Sequence, residues 1–234
     1  MTKSNKSKNI FWNEILIVAA HPDDEVLGAG GTILKHVKNG DRVSILILGD
    51  GVTSRGAGAA AIKQRLNQAK KAAGILGVKQ VILETLPDNK FDSLPLLEIV
   101  KKVEPVIKRI KPNIIYTHFS DDLNIDHRLT FQAVLTACRP QPGFFVKKIL
   151  SFEIPSSTEW QVKKKNNLFC PTYYNDISDF IAKKIKAIKV YEEELKPYPH
   201  PRSKKGINIL AQWRGLEVGY KFAEAFQAVR DLND

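Results

Sequence analysis

An α/β fold is what this chain predicts: a Rossmann-like, mostly parallel sheet with helices on both faces and the active site at the C-terminal edge of its strands. Three observations carry that expectation. Short, continuously apolar runs recur through the first two-thirds of the 234 residues, as in strands buried on both faces. Segments of helical periodicity separate them. Polar stretches rich in Gly or acids follow several of the runs at their C-terminal ends.

Residues 14–20 read as the first strand. The Gly28-Ala-Gly-Gly31 stretch opens a helix over 28–39, which Gly40 ends. Residues 43–48 form a second strand, followed by a loop over 49–56 whose glycines permit positive φ. An Ala-, Lys- and Gln-rich helix over 60–76 closes at Gly77, and 80–84 is a short third strand. Residues 94–110 have helical periodicity; Pro95 suits a first turn, whereas Pro105 predicts a kink or break. Residues 113–118 make a fourth strand and 128–138 a helix. The remainder, from about 147 to 234, is less regular and is expected to shape the substrate pocket. It holds a strand at 148–153, a helix at 177–195 ended by Pro197 and Pro199, a stiff extended segment at 198–203, and a helix pair at 204–214 and 216–230. No linker, repeat or low-complexity tract interrupts the chain, so a single domain over 1–234 is expected, with 1–10 a polar, basic, disordered lead-in.

Hydrophobic residues at 43% and charged residues at 26% match a soluble globular protein. No apolar run reaches bilayer length, and no signal-peptide core is visible. Cys138 and Cys170 lack zinc-ligand spacing and read as reduced thiols in a cytoplasmic protein. The net charge of +11 leaves room for a phosphorylated substrate. Its lysines are spread out apart from 163–165, and no nucleic-acid motif sharpens them, so no specific nucleic-acid partner is expected. A homo-oligomer is compatible with the sequence, which leaves the oligomeric state open.

Right-handed crossovers bring the strand C-termini to one edge, so the segments 21–25, 49–56 and 118–127 converge there. The densest chemistry lies in Ala20-His-Pro-Asp-Asp-Glu25. His21 and Asp24 are three apart on a turn entering a helix and can face the same way. His127, from the Asp126-His127 pair, is the best third ligand, with Asp126 orienting a neighbour. Two His and one carboxylate leave an open position, which suits catalytic zinc and also non-haem Fe2+. Asp23 stands beside them as a base.

These residues carry a resemblance. The Ala20–Glu25 run with Leu27-Gly-x-Gly-Gly31, and Asn124-Ile-Asp-His127, resemble the two signatures of the LmbE/PIG-L-like N-acetylglucosamine deacetylase family. Ser54-Arg55-Gly56 is similar to its loop after the second strand. Pro199-His-Pro-Arg-Ser203 and Ala223-Glu-Ala-Phe226 resemble a bacterial subgroup. The resemblance implies a zinc-dependent hydrolase that deacetylates an amino sugar, free or nucleotide- or lipid-linked. His21, Asp24 and His127 would hold the zinc, Asp23 would be the general base, and Arg55 would line the site and bind substrate. One departure stands out. Many members carry His where this chain has Asn124, and an amide donates a hydrogen bond but carries no charge or proton. Either Asn124 or His200 would then stabilise the oxyanion; the plainer alternative is that His200 and Arg202 only bind substrate. His118 could contact substrate or serve structurally, and Asp122 could orient a ligand. Glu25 reads as a helix N-terminal charge and His36 as a surface residue. Trp160, Tyr173 and Tyr174 either stack on a ligand or pack in the core. Two other functions remain open: an amidase for another N-acyl amine, and a sugar- or nucleotide-binding module with a vestigial metal site. Asp23 argues against the second, because a binding module needs no acid beside an open metal position.

Overall fold

The computed structural model describes residues 12–233; the expected disordered lead-in lies outside the described residues. In chain order the main elements are β1 (Glu14–Ala19), α1 (Asp24–Lys38), β2 (Arg42–Gly49), α2 (Ala59–Leu76), β3 (Gln80–Leu86), α3 (Leu96–Ile110), β4 (Ile114–His118), α4 (Ile125–Ala137), β5 (Lys148–Phe152), β6 (Tyr173–Asp176), α5 (Ile181–Ile188), α6 (Lys204–Leu216) and β7 (Ala223–Asp231). Their strands form one sheet in the order β3-β2-β1-β4-β5-β7-β6. The first five are parallel, and β7 runs antiparallel to both β5 and β6.

The continuous apolar runs are explained by burial on both faces. Residues 15–19 of β1 are all buried, with one core under α1 and α2 and another under α3 and α4. Strand order reverses at the centre: the chain moves outward from β1 to β2 and β3, then returns to place β4 on the other side of β1. The loops leaving β1 and β4 diverge from this point and open a crevice at the strand C-termini.

Several elements depart from expectation. Helix α1 begins at Asp24, so Gly28, Gly30 and Gly31 lie inside it rather than opening it. Their role is close packing. A Cβ on Gly28 would come within 2.5 Å of the Phe152 ring, and one on Gly31 within 2.7 Å of Ile177. A buried ion pair then pins α1 to the far side of the sheet. Glu224 of β7 accepts the N–H groups of Gly31 (2.8 Å) and Thr32 (2.7 Å), while Lys184 of α5 donates to Leu27 O (2.8 Å) and to Glu224 (2.6 Å).

Helix α3 runs unbroken through Pro105. That residue and Lys101, whose carbonyl it leaves free, are both exposed, so water can satisfy the oxygen; Val103, Val106 and Ile107 hold the other face in the core. The expected helix over 177–195 is shorter, because α5 gives way to a 3-10 segment at Lys189–Glu194 that bends at Tyr191. The largest correction is at the C-terminus. Residues 223–231 form a strand instead of a helix, and Tyr173 and Tyr174 belong to the strand beside it. Pairing with β5 on one side and β6 on the other outweighs the helical bias of an Ala-containing sequence. His36 is half-buried, not a free surface residue: its ring nitrogens meet Asp41 (2.6 Å) and Tyr116 (2.9 Å). No helix of the described residues is long and apolar enough to cross a membrane.

Candidate functional site

The crevice is lined by the loops after β1, β2, β3 and β4. After β1 the chain turns sharply: Asp23 takes φ 126°, a region that non-glycine residues rarely adopt, and α1 starts at the next residue. This turn buries His21, Asp23, Asp24 and Glu25 together. Asn124, after β4, caps α4 by accepting the N–H of Asp126 at 2.8 Å, which sets Asp126 and His127 in the first turn of that helix.

His21, Asp24 and His127 converge, with donor atoms within 4.8 Å of one another. Asp24 Oδ2 lies 3.4 Å from His21 Nδ1 and 3.3 Å from His127 Nε2. The other nitrogen of each ring rests on carboxylates. His21 Nε2 is 2.9 Å from Asp126 and 3.2 Å from Asp88, and His127 Nδ1 is 3.0 Å from Asp122. An imidazole backed in this way is oriented, with its free nitrogen made a better ligand. Asp24 Oδ1 and His127 Nε2 are buried without a hydrogen-bond partner. Orphaned buried donors and acceptors are costly unless something else engages them, and a His–Asp–His set is suited to a divalent cation of the zinc type.

The electrostatics agree. Burial disfavours charge on His21, yet Asp126 and Asp24 outweigh it and push the imidazole up to about 10. Burial likewise opposes charge on His127, which Asp24 and Asp122 raise to about 9. Asp24 is held well below the usual carboxylate range, against its burial, by His127 and His118. The acids of the site strongly favour positive charge at this point.

A second group, His21, Asp88 and Asp126, is also close enough to share an ion. Its carboxylates are already engaged. Asp126 accepts the N–H groups of Asn89 (2.7 Å) and Phe91 (3.0 Å), and Asp88 accepts from Ser54 and from Asn89. These two acids read as the shell that orients His21. Asp88 escaped notice in the sequence, since the loop after β3 carries no motif of its own. The expectation that Asp122 orients a ligand fits its place, where it also accepts from Ser157 and Thr158.

Asp23 lies beside the trio. Burial raises its carboxyl to about 7, against the pull of Arg202 and with the help of Asp24 and Glu194. Arg202 donates to Asp23 Oδ2 at 2.9 Å and, through Nε, to Pro155 O at 3.1 Å. Glu25 holds the Asp23 backbone N–H (3.0 Å) and accepts from the Tyr191 hydroxyl (2.6 Å). It thus secures the strained turn rather than merely charging a helix end.

The remaining expected residues divide. Asp126, expected to orient a neighbour, is fully buried behind His21. His118, expected to contact substrate, is fully buried as well. Its Nε2 accepts the Ala20 N–H at 2.8 Å, and its ring stacks on His127 at 4.0 Å. It packs beneath His127 with no exposed surface, a place that fits the structural role better than contact with substrate. Asn124 spends its oxygen on the cap and one amide N–H on Asn89. His200 Nδ1 accepts the backbone N–H of Arg202 at 3.0 Å, so the proton of a neutral ring sits on Nε2. Trp160, half-exposed, packs edge-on against His200 at 5.4 Å. Arg55 is exposed over half of its side chain and grips Glu194 with both terminal nitrogens, at 2.7 and 2.9 Å. Glu194 was not singled out in the sequence, being one acid in a run of three.

Residues 16–138 match the family model described as PIG-L: GlcNAc-PI de-N-acetylase, a span that contains both the β1 turn and His127. The chain belongs to this family. Among curated proteins, this PIG-L family member is 28% identical to a diacetylchitobiose deacetylase of Thermococcus kodakarensis over 228 residues, covering 92% of this chain and 83% of the relative. Its fold is similar to that of a conserved protein from Thermus thermophilus, with TM-score 0.75 and 22% identity, covering 95% of this chain and 97% of that one. It is also similar to a 4-carboxy-2-hydroxymuconate hydratase from Pseudomonas putida, with TM-score 0.73 and 22% identity, covering 94% and 97%. Because a hydratase shares the fold, architecture alone does not select the chemistry.

Proposed function

We propose that this chain is a divalent-metal-dependent hydrolase that removes the acetyl group from an N-acetylated amino sugar. The observation that carries the reading is the buried His21–Asp24–His127 trio, each imidazole backed by its own carboxylate, with Asp23 held alongside. Family membership and the name of the Thermococcus relative support the same chemistry. His21, Asp24 and His127 would hold the metal, zinc by the nature of the donors, with Fe2+ a compatible occupant. Bound there, a dication supplies Lewis acidity and makes water nucleophilic near neutral pH.

The rest of the reaction falls to side chains. Asp23 takes the proton from the water that attacks the acetamide carbonyl. With its carboxyl raised to about 7, Asp23 can hold that proton and return it to the amine nitrogen as the C–N bond breaks. Acetate and a free amino sugar leave. Arg202 fixes the base in place by its 2.9 Å contact. His200, with its proton on Nε2, is the donor for the developing oxyanion, and the one amide N–H that Asn124 does not spend on Asn89 is the alternative.

Acetate and free-amine release from N-acetylglucosamine compounds, uncharged, nucleotide-linked and lipid-linked, tests the reading, with and without a chelator. Chelator-sensitive release from at least one is expected. Asp23→Asn should retain bound zinc by metal analysis while kcat falls about 100-fold or more. Release that survives chelation and the substitution would refute the assignment.

A further inference from the structure

We infer that Glu194 makes the site selective for uncharged N-acetylated sugars over anionic ones, by keeping the guanidinium of Arg55 neutralised. The inference rests on the de-N-acetylase reading above and narrows its substrate class.

The net charge of +11 invites the expectation of a phosphorylated substrate, but that charge is not concentrated at the crevice. Asp23, Asp24, Asp88, Asp122, Asp126 and Glu194 are all buried around it. The cations that face them are already paired. Arg202 rests on Asp23 at 2.9 Å and lies 3.8 Å from Glu194. Arg55 has a side chain 56% exposed and so is the guanidinium most open to an incoming ligand. Both of its terminal nitrogens are taken by the Glu194 carboxylate. A planar fork on a planar carboxylate is the geometry by which Arg would otherwise bind a phosphate or carboxylate of a substrate.

Glu194 cannot easily yield its place. Its side chain is only 8% exposed, and Arg65, itself 2% exposed, anchors it from behind with a 2.5 Å contact. The 3-10 segment that carries it is bent at Tyr191, whose hydroxyl is tied to Glu25. The loop bearing Arg55 is likewise tied to the site, because the neighbouring Ser54 hydroxyl donates to Asp88. An anionic sugar entering here would have to displace a fixed carboxylate from Arg55 or lie beside it. Neutral hydroxyl groups have no such penalty and can donate to carboxylate oxygens.

The test compares kcat/KM for N-acetylglucosamine with that for its 1-phosphate and 6-phosphate. The wild type should favour the uncharged sugar by about 10-fold or more, the order expected for one unscreened charge contact. Glu194→Gln should shrink that ratio by about 10-fold, chiefly through a lower KM for the phosphates, and Arg55→Gln added to it should restore the preference. Raising salt should improve the wild type's kcat/KM on the phosphates and leave the uncharged sugar unaffected, a measurement independent of how the variants fold. A wild type that hydrolyses either phosphate as well as the neutral sugar overturns the inference. So does a ratio unmoved by Glu194→Gln in a folded variant, or a fall in phosphate turnover with salt. Release from none of the three sugars counts against the de-N-acetylase reading itself for these substrates.

Discussion

Each candidate histidine ligand here rests on a buried carboxylate outside the trio. Asp126 and Asp88 stand behind His21, and Asp122 stands behind His127. Asp126 sits within the Asn124–His127 motif and Asp122 two residues before it; Asp88 lies in a loop with no motif and becomes visible only when β3 sets it against β1 and β4. Glu194 is the other residue whose importance is positional. Burial opposes its charge, but Arg55 and Arg65 hold its carboxyl down to about 2 from an ordinary 4.5. A carboxyl depressed in the folded state stabilises the protein fully above its unfolded value, and that contribution is lost as pH falls through the folded one. The stability gap between wild type and Glu194→Gln, measured by urea unfolding, should therefore be constant above about pH 5 and close between about pH 4.5 and pH 2. A gap that stays constant to pH 2 would show that the carboxylate charge contributes nothing.

Helix α1 is the element on which the site is built. It begins at a candidate ligand, Asp24, and its glycines let it approach β5 and the segment after β6 more closely than any side chain would allow. Gly28→Ala would drive a methyl group into the Phe152 ring, whose near atom lies 2.5 Å from the new Cβ. The expected cost is about 1–3 kcal/mol in denaturant unfolding, with the far-ultraviolet signature of the fold retained. A variant as stable as the wild type would mean that Phe152 has room to move. The helix also ends a chain of contacts that the sequence does not advertise. The Lys184–Glu224 pair ties it to α5 and β7, across elements separated by more than 150 residues.

At the level of the whole molecule, the two halves of the chain do different work. The parallel half from β1 to β5 supplies the trio and its supporting acids. The segment from 189 to 203 supplies Glu194, His200 and Arg202, of which Arg202 reaches Asp23 at 2.9 Å and lies 3.8 Å from Glu194. If a cation engages His21, Asp24 and His127, folding and metal binding are linked. Calorimetry with zinc in 100-fold excess over its dissociation constant should then show a stabilisation of about 2.7 kcal/mol. For a chain of this size that raises the Tm by roughly 5–10 °C, and a chelator should reverse it. An unchanged Tm would sever that link.

By itself the sequence determined the parallel α/β core and marked His21, Asp24 and His127 as candidate ligands. Both rest on local patterns: continuous apolar runs for strands buried on two faces, and a His-x-x-Asp turn directly after one of them. Only the tertiary structure decided the rest. Residues 223–231 become a strand because β5 and β6 offer unpaired edges on either side, a fact of long-range pairing that local composition cannot carry. His118 sinks beneath the site although it ends a strand next to it, because its ring is needed between Ala20, His127 and Phe152. Asp88 and Glu194 gain their roles from partners 67 and 139 residues away, His21 and Arg55. Charge pairing acts through space, and a linear pattern records it only where the chain happens to fold back on its neighbours.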